Sequence, residues 1–157
     1  MAFVVSLLFI GSLVTPVFAK DATARPRAVI ERYLQLDADA ARLSESNWPA
    51  MQPLVTWPKP LAWDKIVVIE SYKIDKIAVG STRAQASVSY EVLGELSNTF
   101  TAGHKHEAAV YHLNLIGNDW KVDGPALKPH VSYEVMKTRL AGNPLLQQIE
   151  AARQAVR

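Results

Sequence analysis

The stretch from residue 108 to residue 125, AAVYHLNLIGNDWKVDGP, restricts most strongly what this chain can fold into. Its first half alternates apolar and polar side chains, the period of two that a half-buried β-strand requires. One face carries Tyr111, Leu113 and Leu115, and the other carries His112 and Asn114. The Gly-Asn-Asp sequence at 117–119 suits a tight turn, and Asp-Gly-Pro at 123–125 ends a second short strand. The sequence therefore predicts a β-hairpin that the remaining residues must cover or extend.

The composition is that of an ordinary globular protein. The chain has 157 residues, 49% of them hydrophobic and 20% charged, which is enough for one core and too little for two comfortable domains. The net charge of +2, from 17 basic and 15 acidic residues, lacks the basic excess typical of nucleic-acid-binding domains, so we expect no nucleic-acid partner. Because the chain contains no cysteine, disulfides, thiolate nucleophiles and thiolate metal sites are excluded.

Residues 3–14 form an almost unbroken apolar run, followed by Pro16, Val17 and Ala19. These residues match a signal-peptidase site, so we expect residues 1–19 to be a cleaved signal peptide and Lys20 to begin the mature chain. The run is about 12 residues long, shorter than the roughly 20 that span a bilayer. No Lys or Arg precedes it, and a retained anchor and a buried helix stay open as alternatives. Cleavage predicts a periplasmic or secreted protein that makes no membrane contact.

Residues 24–43 predict a first helix, because apolar residues recur at intervals of four and three. This apolar stripe consists of Val29, Tyr33, Leu36, Ala40 and Leu43. Pro26 suits the first turn, where its missing N–H costs nothing. The charged residues mostly lie off the stripe and are assigned to a solvated face. They are Arg25, Arg27, Glu31, Arg32, Asp37, Asp39 and Arg42.

The segment at 44–64 changes character, because it combines three tryptophans with four prolines. The tryptophans are Trp48, Trp57 and Trp63. Proline removes backbone donors and keeps its predecessor extended, so regular structure is excluded around 57–60. Two interpretations stay open. The indoles plug the open end of a core, or they form the rim of a ligand pocket, since tryptophan offers a large apolar face with one polar group.

The rest of the chain predicts further strands and a helical tail. β-branched residues at 66–69 begin one strand, and residues 84–92 alternate apolar with polar side chains in the next. Ser132 can cap a helix at 133–140, and the Asn-Pro pair at 143–144 starts another. The resulting division is a signal peptide at 1–19, a domain at 20–141 and a C-terminal helical extension at 142–157.

Residues 97–107, SNTFTAGHKHE, are polar and contain glycine, so they predict a long loop between two strands. A His-x-His sequence on a strand places both imidazoles on one face and can bind a metal. His104 and His106 have this spacing, but only Glu107 is evident as a third ligand. We therefore expect a solvated loop that binds no metal, and we expect no cofactor elsewhere.

Several segments resemble secreted bacterial members of the nuclear transport factor 2-like superfamily. The similar residues are Trp63-Asp64, 66–69, Tyr72, Val88-Ser89-Tyr90, Leu93-Gly94 and 120–132. The order of elements predicts an α+β fold. The resemblance, over roughly 24–140, implies a strongly curved antiparallel sheet of about four strands, wrapped around the long N-terminal helix, with a helical C-terminal tail. It also implies a cone with a pocket at its open end, and a homodimer that pairs through the convex sheet face.

The superfamily includes isomerases, dehydratases and non-catalytic binding domains, so the fold does not choose the function. Isomerase-type members use a pocket carboxylate as base and a tyrosine or acid as oxyanion donor. Tyr90 and Tyr111 are the candidates here, with Asp64 as a weaker one, but no carboxylate clearly shares the tyrosines' strand face. We therefore expect no catalytic residue, and binding of a small apolar ligand or an envelope protein. The expected ligand-binding residues are Trp48, Trp57, Trp63, Tyr90 and Tyr111; the alternative is an isomerase- or dehydratase-like enzyme that uses the two tyrosines.

Overall fold

The computed structural model describes residues 18–155, with side chains from Arg25 onwards, so the predicted apolar leader lies outside the described residues. The helices are α1 (Phe18–Ala38), α2 (Trp48–Met51), α3 (Tyr133–Arg139) and α4 (Pro144–Gln154). The strands are β1 (Ile66–Val79), β2 (Arg83–Leu96), β3 (Phe100–Ile116), β4 (Asp119–Gly124) and β5 (His130–Ser132). Short 3-10 turns lie at Ala41–Leu43, Glu45–Asn47 and Gln52–Leu54. None of the described helices combines the length and apolar character needed to cross a membrane.

The strands form one strongly curved, five-stranded sheet in the order β4-β3-β2-β1-β5, which confirms the α+β class. The first four strands pair antiparallel, and β5 pairs parallel to β1. The predicted sheet of about four antiparallel strands is therefore corrected to a mixed sheet of five. A strand of three residues is too short for the period of two to reveal it. Register shifts in β1 and β2 mark bulges, which bend a sheet.

The hairpin at 108–125 is confirmed as the turn between β3 and β4. Leu115 pairs with Trp120, and Ile116 pairs with Asp119. Gly117 takes a φ of 63° in the turn, a conformation that glycine adopts without steric cost. Tyr111, Leu113, Trp120 and Val122 are buried, so the predicted apolar face does point into the core.

The two faces of the sheet are covered by different helices. Val67 and Ile69 of β1 pack in a cluster with residues of α1, whereas Val68 packs in a second cluster with residues of α3 and α4. Neighbouring residues of a strand point to opposite faces, so we call these the α1 face and the α4 face. Ile149 anchors α4, with none of its surface exposed. Arg153 adds a bidentate pair with Glu70 at 2.6 and 2.7 Å.

The predicted loop at 97–107 is wrong. β3 begins at Phe100 and pairs with β2 from the Leu96–Phe100 position onwards, which leaves only residues 97–99 to turn the chain. The Phe100 ring is buried over Gly94, where an added Cβ would lie 2.6 Å from Phe100 Cζ. Packing of this ring and pairing with β2 hold a polar segment in a strand, although its composition is typical of a loop.

Candidate functional site

Buried polar side chains gather on the α1 face where α1 ends. Asp37 has 1% of its surface exposed, and the Arg42 side chain has 4%. α1 stops at Ala38, short of the predicted Leu43, and Ala40 takes a left-handed φ of 63° that reverses the chain. Arg42 Nη1 then lies 3.4 Å from both carboxylate oxygens of Asp37. The predicted solvated face is therefore wrong for these two residues, because Arg42 is not on the helix and Asp37 points into the core.

Arg42 links three parts of the chain. Its Nη1 donates to Tyr33 Oη at 3.2 Å, and its Nη2 donates to the Leu127 carbonyl at 2.6 Å. The guanidinium also lies 4.8 Å from the centre of the Trp63 ring, a cation–π geometry. The arginine thus joins α1, the segment before β5 and the tryptophan-rich segment, and both of its terminal nitrogens have partners.

Three tyrosines adjoin this ion pair. Tyr90 and Tyr111 share a hydrogen bond of 2.7 Å between their hydroxyls, in which either oxygen can donate. The rings of Tyr33 and Tyr111 meet edge to face at 5.6 Å. Burial raises the pKa of all three phenols above the ordinary value near 10. All three hydroxyls are therefore neutral at physiological pH.

His130 completes the group, which we call the buried cluster: Tyr33, Asp37, Arg42, Tyr90, Tyr111 and His130. The His130 backbone N–H donates to Asp37 Oδ2 at 3.1 Å, and its ring stacks on Tyr90 at 4.1 Å. Its Nδ1 lies 4.0 Å from Asp37, too far for a hydrogen bond. Burial raises the pKa of Asp37 to about 6, although Arg42 acts in the opposite direction. Burial lowers the pKa of His130 to about 4. At pH 7 the cluster therefore holds an Asp–Arg ion pair and a neutral imidazole.

Four of the five predicted ligand-binding residues meet at this cluster. Tyr90 and Tyr111 belong to it, Trp57 packs edge-on against Tyr33 at 6.3 Å, and Trp63 lies beside Arg42. Trp48 packs against the same core from α2. The two predicted tyrosines have 2% and 0% of their surface exposed. A ligand at the surface cannot reach them without a rearrangement of the fold.

The two candidate tyrosines, Tyr90 and Tyr111, lack a carboxylate base in direct contact within the described part of the chain. Among the described residues, no carboxylate accepts a hydrogen bond from Tyr90 or Tyr111. Asp37 reaches the aromatic group indirectly. Arg42 bridges it to Tyr33, and His130 donates its backbone N–H to Asp37 while its ring stacks on Tyr90. Asp64, the weaker candidate, is exposed. The geometry is that of a buried polar network in which Arg42 pairs with Asp37 and the two tyrosine hydroxyls pair with each other, while His130 Nδ1 is buried without a hydrogen-bond partner among the described residues.

A cleft of about 320 Å³ lies beside this network at the surface. Its lining residues are Arg42, Leu43, Ser44, Glu45, Pro60, Leu61, Ala62 and Trp63. Among the described residues, Leu43 is one of the few large apolar ones that are exposed, at 37%. The Trp63 indole N–H is buried without an acceptor in the described part of the chain. We call this the Trp63 cleft. Its volume is near the lower end for small-molecule pockets. Leu43, Leu61 and Trp63 offer apolar surface to a compact ligand, and Arg42, Ser44 and Glu45 add polar groups to the lining.

A second group of chemically active side chains lies on the α4 face. Glu91 of β2 pairs directly with His106 of β3, and His104 lies two residues before His106 on the same face. One ligand atom from each of these three residues lies within 4.8 Å of the others. The prediction against a metal assumed that Glu107 was the only third ligand. That premise is wrong, because Glu107 pairs with Tyr90 and so faces the α1 side.

Sequence reasoning missed Asp37, Arg42 and His130. One signal was available for Asp37, which lies four residues after Tyr33 and eight after Val29 and so on the apolar stripe. No comparable signal marks Arg42, whose position depends on the chain reversal at Ala40. His130 lies in the short strand that the sequence did not predict.

No protein-family model matches the chain, and neither the curated proteins nor the solved structures provide a match. The resemblance to the nuclear transport factor 2-like superfamily stays a prediction.

Proposed function

We propose that this chain is an exported, non-catalytic binding domain that accepts a small, mainly apolar molecule in the Trp63 cleft. The observation that carries the proposal is the cleft itself, which joins exposed Leu43 and the Trp63 indole. Pro60 stiffens one wall of the cleft, so less conformational entropy is lost there when a ligand binds. An envelope protein that inserts one apolar side chain would use the same surface.

The chemistry of the buried cluster supports binding over catalysis. A catalytic residue must touch the substrate, whereas Tyr90, Tyr111 and Asp37 have 2% or less of their surface exposed. Arg42 already donates to Tyr33, Asp37 and Leu127. The buried cluster therefore has a structural role: it holds Arg42 in place, and Arg42 in turn positions Trp63 in the wall of the cleft.

Export and assembly belong to the same proposal. The apolar run at 3–14 and the small residues before Lys20 support cleavage and a periplasmic or secreted location. The resemblance described above, with a sheet wrapped around a long first helix, supports a homodimer through the α4 face, where Val110 is 45% exposed. Intact mass of protein from the envelope fraction tests cleavage. Sedimentation at tens of micromolar tests the dimer, and a monomer there would contradict it.

The binding test uses the apolar fluorescent dye anilinonaphthalenesulfonate with the folded full chain. We expect saturable binding at one site. Ala62→Trp places an indole in the cleft and should weaken dye binding by about tenfold, which corresponds to roughly 1.4 kcal/mol. Ala78→Trp adds the same side chain at an exposed position of β1 outside the cleft and serves as the matched control. Equal binding by the two variants would contradict the assignment of the cleft.

A second candidate is an isomerase- or dehydratase-like enzyme. One observation favours it: titratable groups with shifted pKa values, including Asp37 near 6, lie next to the Tyr90–Tyr111 pair. Such an enzyme would remove a proton next to a carbonyl group. The test follows exchange of the α-hydrogens of cyclohexanone in D2O by NMR. Exchange above the buffer rate that disappears in Tyr111→Phe would establish the enzyme and contradict the non-catalytic proposal.

A further inference from the structure

We propose that Glu91, His104 and His106 form a binding site for a divalent transition metal, of which Zn²⁺ is the best fit. The site lies on the α4 face across β2 and β3, whereas the Trp63 cleft adjoins the α1 face. It is independent of the proposed binding function and can succeed or fail separately.

The strand geometry brings the three ligands together. His104 and His106 are two residues apart in β3, so their side chains leave the same face. Their ring centres are 5.8 Å apart. Glu91 is the direct cross-strand partner of His106, and the side chains of such partners are within contact distance. The backbone therefore holds all three donors on one patch of a paired sheet.

The distances require only side-chain adjustment. The donor atoms lie within 4.8 Å of one another. A tetrahedral zinc ion with Zn–N bonds of about 2.1 Å holds its ligand atoms about 3.4 Å apart. A closure of roughly 1 Å follows from small χ rotations of the two histidines, which are exposed and free to turn.

The donor types select the class of metal. Two imidazoles and one carboxylate are a zinc ligand set that leaves a fourth position for water or another ligand. Ca²⁺ and Mg²⁺ prefer sites made of oxygen ligands, so this set disfavours them. Ser71 Oγ lies 3.3 Å from Glu91 Oε2 and donates to it. This bond orients the carboxylate from a third strand, as outer partners of metal ligands commonly do.

The surroundings leave the patch open to solvent. β3 pairs with β2 from Phe100 to Asn114, whereas β4 pairs with β3 only from His112 to Ile116. His104 also borders a shallow groove against Ala152 and Ala155 at the end of α4. A metal can therefore enter from solvent without any opening of the core.

The experiment is isothermal titration calorimetry. The full chain, purified without a histidine tag, is titrated with ZnCl2 in a non-chelating buffer. We expect one zinc ion per chain. His104→Ala and His106→Ala should each weaken binding by more than about tenfold, because loss of even an outer partner costs 10–100-fold. Glu91→Gln should weaken it by about tenfold while keeping the shape of the side chain.

His112→Ala is the matched control, because His112 is an exposed histidine on the same face of the same strand. It should leave zinc binding unchanged. Circular dichroism with EDTA present confirms that each variant is folded before titration. Failure of the wild type to bind zinc, an equal loss in His112→Ala, or no effect of Glu91→Gln would overturn the three-ligand site. One zinc per two chains would also overturn it, since the metal would then bridge two copies.

Discussion

The molecule places histidine beside carboxylate in two regions, and the two differ in almost every physical property. In the buried cluster, His130 and Asp37 have 4% and 1% of their surface exposed, and Arg42 compensates the carboxylate. On the α4 face, His104 and His106 are exposed, and Glu91 is half-buried and accepts a hydrogen bond from Ser71 Oγ. The same two residue types therefore lie in a buried, charge-compensated environment in one region and at the solvent surface in the other.

The difference teaches that burial, more than residue type, decides what such a group can do. In the core, burial shifts pKa values, and most polar atoms pair with partners within the protein because an unpaired buried polar atom is costly. The members are then unavailable to an outside ligand. At the surface, water solvates the free donors at little cost, so a metal can displace that water. The buried cluster should control stability, and the exposed group should control binding.

The sharpest test of this comparison is Arg42→Met. The substitution leaves the Asp37 carboxylate buried without its cation, which typically costs 3–5 kcal/mol. We expect a loss of about that size in the free energy of unfolding at pH 7, measured by urea denaturation. Adding Asp37→Asn to Arg42→Met should recover part of the loss, because the uncompensated charge is gone. A loss below about 1 kcal/mol would mean that the pair is solvated and the comparison is wrong.

The second prediction concerns pH, where Asp37 and His130 act in opposite directions. Between about pH 4 and 6 the folded state keeps a proton on Asp37 that the unfolded chain has lost, so this group makes stability fall as pH rises. His130 is neutral in the folded state down to about pH 4, whereas the unfolded chain binds a proton below its ordinary pKa near 6.5. This group makes stability rise with pH over much the same range.

His130→Phe separates the two effects, because phenylalanine can keep the stacking on Tyr90 but cannot titrate. The wild type loses roughly 3 kcal/mol at pH 4 by burying a neutral imidazole, and the variant does not. Relative to the wild type, the variant should therefore be more stable at pH 4 than at pH 7 by about that amount. Urea denaturation at both pH values measures it. A difference that stays constant with pH would show that His130 titrates normally, and NMR titration of its ring checks this directly.

The elements of the fold that depend on local sequence patterns could be predicted from the sequence. The hairpin, the alternation in β2 and the caps of α3 and α4 follow from residues close together in the chain, and Ser132 and Asn143 do accept capping hydrogen bonds. The buried cluster could not be predicted in the same way. Arg42 meets Leu127 across 85 residues, and His130 meets Asp37 across 93.

The exposed group was missed for a different reason. The residues at 100–107 have the composition of a loop, and only pairing with β2 holds them extended. Once the register is known, Glu91 follows directly as the neighbour of His106. The missing information was therefore the cross-strand partner and not the chemistry of the histidines.

The third prediction tests whether the tyrosines belong to the stabilising region. Tyr111→Phe removes one hydroxyl and leaves Tyr90 Oη buried without its partner at 2.7 Å. An unpaired buried polar group costs about 1–3 kcal/mol, and we expect a loss in that range in the unfolding free energy. The double variant Tyr90→Phe/Tyr111→Phe should lose less than the sum of the single changes, because no hydroxyl remains unpaired. Additive losses would indicate that the two hydroxyls are solvated separately.

The smallest expected effect lies on the α4 face. Without metal, Glu91→Gln should change the unfolding free energy by no more than about 0.5 kcal/mol, because the side chain is partly solvated and its amide can still accept from Ser71. With zinc at 100 times its dissociation constant, the wild type should gain about 2.7 kcal/mol, provided that the unfolded chain binds zinc weakly. The variant, which binds about tenfold more weakly, should gain about 1.4 kcal/mol at the same zinc concentration. Paired urea titrations with EDTA and with zinc measure both quantities. A large loss in EDTA would place Glu91 among the structural residues, and the contrast between the two histidine–carboxylate groups would then fail.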